Sequence, residues 1–326
     1  VELHNYKASN EDELYKGAYE FIWYNEFSIH ETFSISSVVN SPFFNHSKYA
    51  SLKIKDAIAD QFNKKYGKRP SVDRDNPDHK FLVRISHDQV NLLWNTSGDP
   101  LFKRGYRKTT GVAPLNEVLA AGIIKFSKWD FKRPLIDPMC GSGTFLCEAL
   151  MIAKNIPPSI ERKNFGFTKH KNYDHALWTT IKNKAKEKKN ENKPVLMGYD
   201  NLNEMIIATR NNIKNIDPNN DYMITFKDFF DLEPPVENAF LILNPPYNMR
   251  IAQEKNYMFY EKIGTRLKHS WSGSDAWILS GDLEGLKHIG LRPIRKIKLF
   301  NGPIETKLVH IPLYKGSKKI KGNKIG

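Results

Sequence analysis

"RPLIDPMCGSGTFLCEALMIAK" (133–154) is the stretch on which the fold turns. It begins with a short apolar run, RPLIDP, that reads as a strand, and ends with GTFLCEALMIAK, which reads as a helix. Between them the chain must reverse within a few residues. Gly141 and Gly143 allow that, because a residue without Cβ turns tightly and lets a ligand approach the backbone. The helix that follows offers free N–H groups and the positive end of its dipole. In open α/β sheets, ligands bind just past the carboxyl ends of the strands, which is where this loop falls. A plain strand-to-helix turn has the same look, so the neighbouring sequence must decide.

Downstream, strands and helices alternate. PVLMGYD is a strand and NEMIIATRNNIK a helix, and YMITFKD and AFLILN are two more strands. NYMFYEKIGTRLKH (256–269) reads as a helix, DAWILSGD (275–282) as a strand, and RKIKLFN and ETKLVHIPLY as a final pair. Strands separated by crossover helices predict an α/β, doubly wound, mostly parallel sheet. The link NGPI is hairpin-like and would place one antiparallel strand at the sheet edge. No internal repeat interrupts this rhythm.

The chemistry collects at the strand ends. The loop is neither GxGxxG nor a P-loop, since no Lys follows its last Gly. Asp137 at its head would repel phosphate but suits the ammonium of an amino-acid-like ligand, which points to S-adenosylmethionine rather than NAD or ATP. Asp200 ends the next strand and can accept both hydroxyls of a ribose. Asp228 follows the third strand and could accept from an adenine amine, with Phe229 beside the ring. Each Asp alone is equally a helix cap or turn residue. "LILNPPYNMR" (241–250) falls at the end of the fourth strand, where Pro246 cannot continue a ladder. The Asn244 side-chain oxygen and the Pro245 carbonyl could draw the hydrogens of an exocyclic amine out of the ring plane, returning electron density to a poor nucleophile. Tyr247 supplies a face for a base, worth roughly 1–3 kcal/mol.

The first hundred residues have another character. EDELYKGAYEFIWY (11–24) reads as a helix, TFSISSVV (32–39) as a strand and 46–66 as a second helix. KFLVRISH (80–87) and QVNLLWNT (89–96) read as a hairpin, which completes a small basic α+β module. The connector SGDPLFKRGYRKTTGVAPL (97–115) sets Lys103, Arg104, Arg107 and Lys108 around Tyr106. Basic residues interleaved with an aromatic suit nucleic-acid contact, and they equally suit an exposed linker.

Composition agrees. The 326 residues fit two domains, with 40 % hydrophobic content to fill their cores. The formal charge of +14, from 50 Lys and Arg against 36 acids, favours a polyanionic partner. Part of the excess is local, in KNKAKEKKNENK (182–193) and the tail from Lys315, both read as solvated helix or tail. No apolar run approaches the roughly 18 residues of a membrane span, and no secretory leader is evident. Two cysteines, Cys140 and Cys147, give neither a disulfide framework nor a metal spacing, so no metal and a cytoplasmic setting are expected. His170 and His175 receive no role, and Trp271 and Trp277 are read as packing residues. Residue 1 is Val, which leaves room for a preceding segment. Oligomeric state is left open.

DPMCGSGT and NPPY resemble motifs I and IV of class I S-adenosylmethionine-dependent amino-methyltransferases. With KDAIADQF, GKRPSVD, SGDPLFKRGYR, APLNEVLAAGII and NGPIETKL, the chain from about residue 50 to 313 resembles the THUMP-containing RNA guanine-N2 methyltransferases, in particular the bacterial large-subunit ribosomal RNA type. The resemblance implies a THUMP module at 1–97 that grips structured RNA, a basic linker at 98–113, a Rossmann-like methyltransferase domain with a seven-stranded sheet at 114–314, and a basic tail at 315–326. It implies that Asp137, Pro138, Cys140, Gly141, Ser142, Gly143, Thr144, Asp200, Asp228, Phe229 and Asn244 hold S-adenosylmethionine, and that Asn244, Pro245, Pro246 and Tyr247 form the catalytic loop. Lys103, Arg104, Tyr106, Arg107 and Lys108 are the expected RNA contacts. The small lobe usual before THUMP is largely absent from the sequence given, which implies reduced RNA affinity, and no second methyltransferase follows. NPPY also serves adenine N6 and protein glutamine amides. A tRNA guanine-N2 enzyme, an adenine-N6 enzyme and a non-catalytic RNA-binding protein therefore remain rivals to a ribosomal RNA enzyme.

Overall fold

The computed structural model describes residues 1–107, 115–160, 162–246 and 253–315. Two compact units emerge. The first joins Val1–Leu101 with Arg162–Lys182, and the second takes the rest of the described chain.

In the first unit, β1 (Glu2–Lys7), β2 (Phe33–Asn40), β3 (His79–Ser86) and β4 (Gln89–Trp94) form a sheet in the order β1-β4-β3-β2. α1 (Glu11–Glu20) and α2 (Ser47–Tyr66) pack against each other and the sheet. Local signals set the helix ends. The Asn10 side chain accepts from the Glu13 N–H, and the Glu13 carboxylate accepts from the Ser9 N–H, a reciprocal cap. The core is aromatic, with Trp23, Phe27, Phe33, Phe62 and Phe81 all buried. Two features depart from the sequence expectation. β1 is a half-buried polar strand that exists through its ladder with β4, so its own residues carry little apolar signal. Residues 162–182, inside the expected methyltransferase span of 114–314, belong to the first unit: Arg162 donates to the carbonyls of Ser97 and Asp99, and His170 lies against Trp94 with ring centroids 4.8 Å apart.

The second unit contains α3 (Glu117–Phe126), β5 (Leu135–Asp137), α4 (Thr144–Ala153), β6 (Leu196–Asp200), α6 (Asn203–Ile216) and β7 (Met223–Phe226), while α5 (His175–Glu187) begins in the first unit and ends in the second. β8 (Phe240–Leu243), α7 (Gln253–Ser270), β9 (Asp275–Ser280), β10 (Arg295–Asn301) and β11 (Ile304–Pro312) complete it. The seven-stranded sheet runs β10-β11-β9-β8-β5-β6-β7. β9, β8, β5, β6 and β7 are mutually parallel, as the alternation predicts. β11 is the antiparallel strand, but it lies inside the sheet between β9 and β10 rather than at the edge. Covering both faces requires continuous apolar strands. Successive residues of β8 accordingly feed opposite cores, Phe240 and Ile242 on one side, Leu241 and Leu243 on the other. Trp271 and Trp277 are buried, as packing residues should be. Among the described residues, no helix is long and apolar enough to cross a membrane.

One buried ion pair ties two helix ends together. Lys154, capping α4, meets Asp217, capping α6, at 2.5 Å, with side chains 2 and 3 % exposed. Burial pushes the Asp217 carboxyl up, but Lys154, Tyr222 and Asn220 outweigh it and hold the carboxyl below its ordinary range. Lys154→Met leaves a buried carboxylate without its cation and should remove about 3–5 kcal/mol of stability at neutral pH. A depressed folded pKa stabilises above the unfolded pKa and loses that contribution as pH falls, so the gap between wild type and variant should shrink on acidification. Urea titrations at two pH values measure both effects.

Candidate functional site

Strand order places the site. β5 starts the parallel series, β6 and β7 extend it one way, and β8 and β9 extend it the other. The crevice at such a reversal is where open α/β sheets take ligands. Asp137 and Asn244 end or follow the two strands that flank it, and Asp200 and Asp228 follow on the same rim.

The loop from β5 to α4 is anchored from outside itself. The Gly141 N–H donates to Asp200 Oδ2 at 2.8 Å, and the Cys140 N–H donates to the Tyr199 carbonyl at 2.9 Å. From α6, Thr209 Oγ1 donates to the Gly141 carbonyl at 2.7 Å and Asn212 Nδ2 to the Ser142 carbonyl at 2.9 Å. Thr209 and Asn212 are fully buried, and sequence reading passed over both. Their only signal was polarity on the inward face of an otherwise amphipathic helix. Gly143 has φ +78°, and a Cβ there would stand 2.6 Å from Thr209 Cγ2. Gly141 also has positive φ, at +53°, but a Cβ on it would meet nothing within 4 Å, so this residue faces open space. Pro138, Cys140, Ser142 and Thr144 are buried around the turn.

Two carboxylates of the rim are raised, burial being the larger cause in each. Burial drives Asp137 well above the usual carboxylate range, and the Asp200 charge adds to it against a single N–H from Met139 at 3.3 Å. Asp200 is also raised by burial, although Gly141 and Leu202 each donate an N–H to it. Each of its oxygens keeps a lone pair for a ligand hydroxyl. Asp228 accepts from the Phe230 N–H and from Asn201 Nδ2, so it caps a short 3-10 turn as well as facing the rim. Phe229 needs correction. Its ring is buried 6.5 Å from that of Trp271 and is part of the core, so it cannot offer a free face to adenine.

At the end of β8, Asn244 Oδ1 is buried and has no hydrogen-bond partner among the described residues. Pro245 is buried and Pro246 exposed, and among the described residues nothing donates to the Pro245 carbonyl. Asn244 Oδ1 is therefore a buried acceptor left unpaired among the described residues, where buried acceptors are normally paired, on the strand next to the one that ends in Asp137. Tyr247 and Lys108 lie outside the described residues. Among those described, no group of three His, Cys, Asp or Glu side chains could hold a metal ion.

The basic segment 103–107 is corrected. Tyr106 is 2 % exposed and its hydroxyl donates to Glu148 Oε1, so it cannot stack on a base. Arg104 pairs with the same carboxylate. Arg107 pairs with Glu117, and its Nη2 donates to Thr144 Oγ1 and to the Leu115 carbonyl. Burial raises Glu148 to about 7 even against Arg104. These residues hold the start of α4 in place, and of the described group only Lys103 is exposed.

Residues 104–310 match the family described as "RMKL-like, methyltransferase domain", and residues 8–94 match the THUMP domain. The chain belongs to the RMKL-like methyltransferase family. It is 36 % identical over 315 residues to the ribosomal RNA large subunit methyltransferase K/L of Psychromonas ingrahamii, covering 94 % of this chain and 42 % of that protein. It therefore spans less than half the length of that relative. With slr0064 of Synechocystis, named as a candidate RNA methyltransferase, identity is 35 % over 310 residues, covering 94 % of this chain and 81 % of that one. Among solved structures, SMU.472, a candidate methyltransferase crystallised with S-adenosylhomocysteine, superposes with a TM-score of 0.84 at 27 % identity, covering 97 % of this chain and 84 % of that one.

For this family member the loop anchor is open to test. Gly143→Ala should destabilise by about 1–3 kcal/mol, through the clash with Thr209 and the strained φ. Adding Thr209→Ser removes the clashing methyl and should restore part of the loss in thermal melts. No recovery would place the damage elsewhere than at this contact.

Proposed function

We propose that this chain transfers a methyl group from S-adenosylmethionine to the exocyclic N2 amine of a guanine in structured RNA, with large-subunit ribosomal RNA as the substrate. The observation that carries the reading is the buried Asn244 Oδ1, unpaired among the described residues, at the end of the strand next to the one that leads into a glycine loop headed by a buried acid.

The residues fit the cofactor. A raised, nearly partnerless carboxylate is a receptor for an ammonium, which gives Asp137 the methionine amine. Asp200, with lone pairs to spare, suits the ribose, and Asp228 suits the adenine amine. The open space over Gly141 admits the ligand against bare backbone. When bound, S-adenosylmethionine supplies an electrophilic methyl group. The protein's part is to make a poor nucleophile competent. Asn244 Oδ1 and the Pro245 carbonyl accept the two amine hydrogens and pull them from the ring plane, so the nitrogen lone pair is less delocalised. No base is needed beforehand, because the amine becomes acidic only as it acquires positive charge. Tyr247 keeps its sequence-based role as a stacking face.

Support for RNA comes from the THUMP match at 8–94, the net charge of +14 and the K/L name of relatives such as that of Psychromonas ingrahamii. A cytoplasmic site of action follows from such a substrate. The bound pair Asn244–Pro245 serves an adenine amine equally well, and mass mapping of ribosomal and transfer RNA from a deletion strain would name the missing methylated base.

Calorimetry should give micromolar S-adenosylmethionine binding, roughly −8 kcal/mol. Asp137 must ionise to receive the ammonium, so affinity should rise with pH across a range above ordinary carboxylate titration, with proton release on binding. Absence of binding heat would end the enzyme reading. Asn244→Ala should slow methyl transfer on the order of 10²–10³-fold, the effect of deleting one preorganised hydrogen-bonding group, while cofactor affinity stays nearly constant. Equal losses in both would make Asn244 a structural residue.

A further inference from the structure

α4 leaves the catalytic rim at Gly143, and two turns along it, about 10 Å by helical rise, the second unit carries a cleft of about 280 Å3. Met151, Ile152, Ile156 and Pro157 make its floor, and Lys125 of α3 and Lys188, just after α5, stand at its rim. The acid of the lining, Glu148, is already held by Arg104 and the Tyr106 hydroxyl, so it does not cancel the rim. Among the described residues, Lys125 and Lys188 form no ion pair. The lysines that continue from the cleft, Lys184, Lys186, Lys189 and Lys193, are also without carboxylate partners among the described residues, although Glu187 and Glu191 lie between them. α5 has no fully buried residue: its Trp178 packs against Phe165 and Phe167, and the end of the helix presents its lysines to solvent.

An apolar recess under two ammonium groups with no carboxylate partner among the described residues fits a ring carried between phosphates. We propose that this cleft is an RNA subsite: one unpaired base of the substrate lies on the floor, its flanking phosphates meet Lys125 and Lys188, and the strand follows the lysines of 184–193. The apolar part is recessed, which suits an inserted base better than a flat lipid surface. The subsite lies down the side of the domain from the amine clamp, so it grips the substrate at a distance from the reacting base. This inference rests on the RNA reading of the preceding subsection.

The test is fluorescence anisotropy of the whole chain with a fluorescein-labelled RNA hairpin carrying a single-stranded tail, titrated over a range of salt. Lys125→Glu with Lys188→Glu should weaken binding at least about fivefold and lower the slope of log affinity against log salt by about 1.4, two phosphate contacts at ~0.7 each. Ala185→Trp, which fills the cleft, should weaken binding with the slope unchanged. S-adenosylhomocysteine affinity should not move in either variant, which shows that the domain is folded. RNA affinity equal to wild type in both variants, or a charge-pair loss without a change in slope, overturns the subsite and leaves the proposed function standing. Loss of binding to phosphatidylserine vesicles with RNA binding intact also overturns it, in favour of a membrane surface. A wild-type chain that binds no RNA overturns both readings.

Discussion

Four hydrogen bonds from β6 and α6 to the backbone of residues 140–142 fix the centre of this domain. β5 is only three residues long, and the turn after it holds one backbone hydrogen bond of its own, from the Gly143 N–H to the Cys140 carbonyl. The turn gets its shape from Thr209 and Asn212, which hold its carbonyls, and from Asp200 and the Tyr199 carbonyl, which hold its N–H groups. Asp200, proposed above to meet the ribose, is thus also a strut of the glycine loop. A change at Asp200 cannot be read as loss of ligand contact alone.

The large outlines were legible because they follow local rules. Apolar runs of strand length, separated by helices of regular period, left little choice but a parallel sheet, and the three strand-end acids with NPPY marked one rim. What sequence missed depends on partners far along the chain. β1 is a strand because β4 pairs with it. Thr209 and Asn212 matter because a loop some seventy residues earlier lies under them. Residues 162–182 sit between two elements of the second domain in sequence but find their apolar partners in the first unit. The hairpin of β10 and β11 was visible, but its order in the sheet is set by the pairing of β11 with β9, which no turn signal encodes.

The segment KRGYR shows how composition misleads. Basic residues around a tyrosine look like a nucleic-acid surface until the acids that meet them are placed. Glu117 and Glu148 are buried carboxylates, and the arginines neutralise them while tying the chain to the start of α4. Burying such charges is tolerable only because they come in pairs with hydrogen bonds to spare. The net charge remains a sound statement about partners, but it does not say which lysines and arginines are free to meet them. Among the described residues of this segment only Lys103 stays exposed.

The reversal of strand order has a consequence for how the chain is made. β5 and β8 are neighbours in the sheet but about a hundred residues apart in sequence, with β6 and β7 between them. During synthesis, one side of β5 stays unpaired until β8 emerges, leaving an apolar edge open to any other strand. A nascent chain at that stage already has its glycine loop and its acids, but lacks the acceptors that would act on a base. A chain cut short in this interval would be sticky before it could be active, which makes the middle of this gene product a natural place for chaperone engagement.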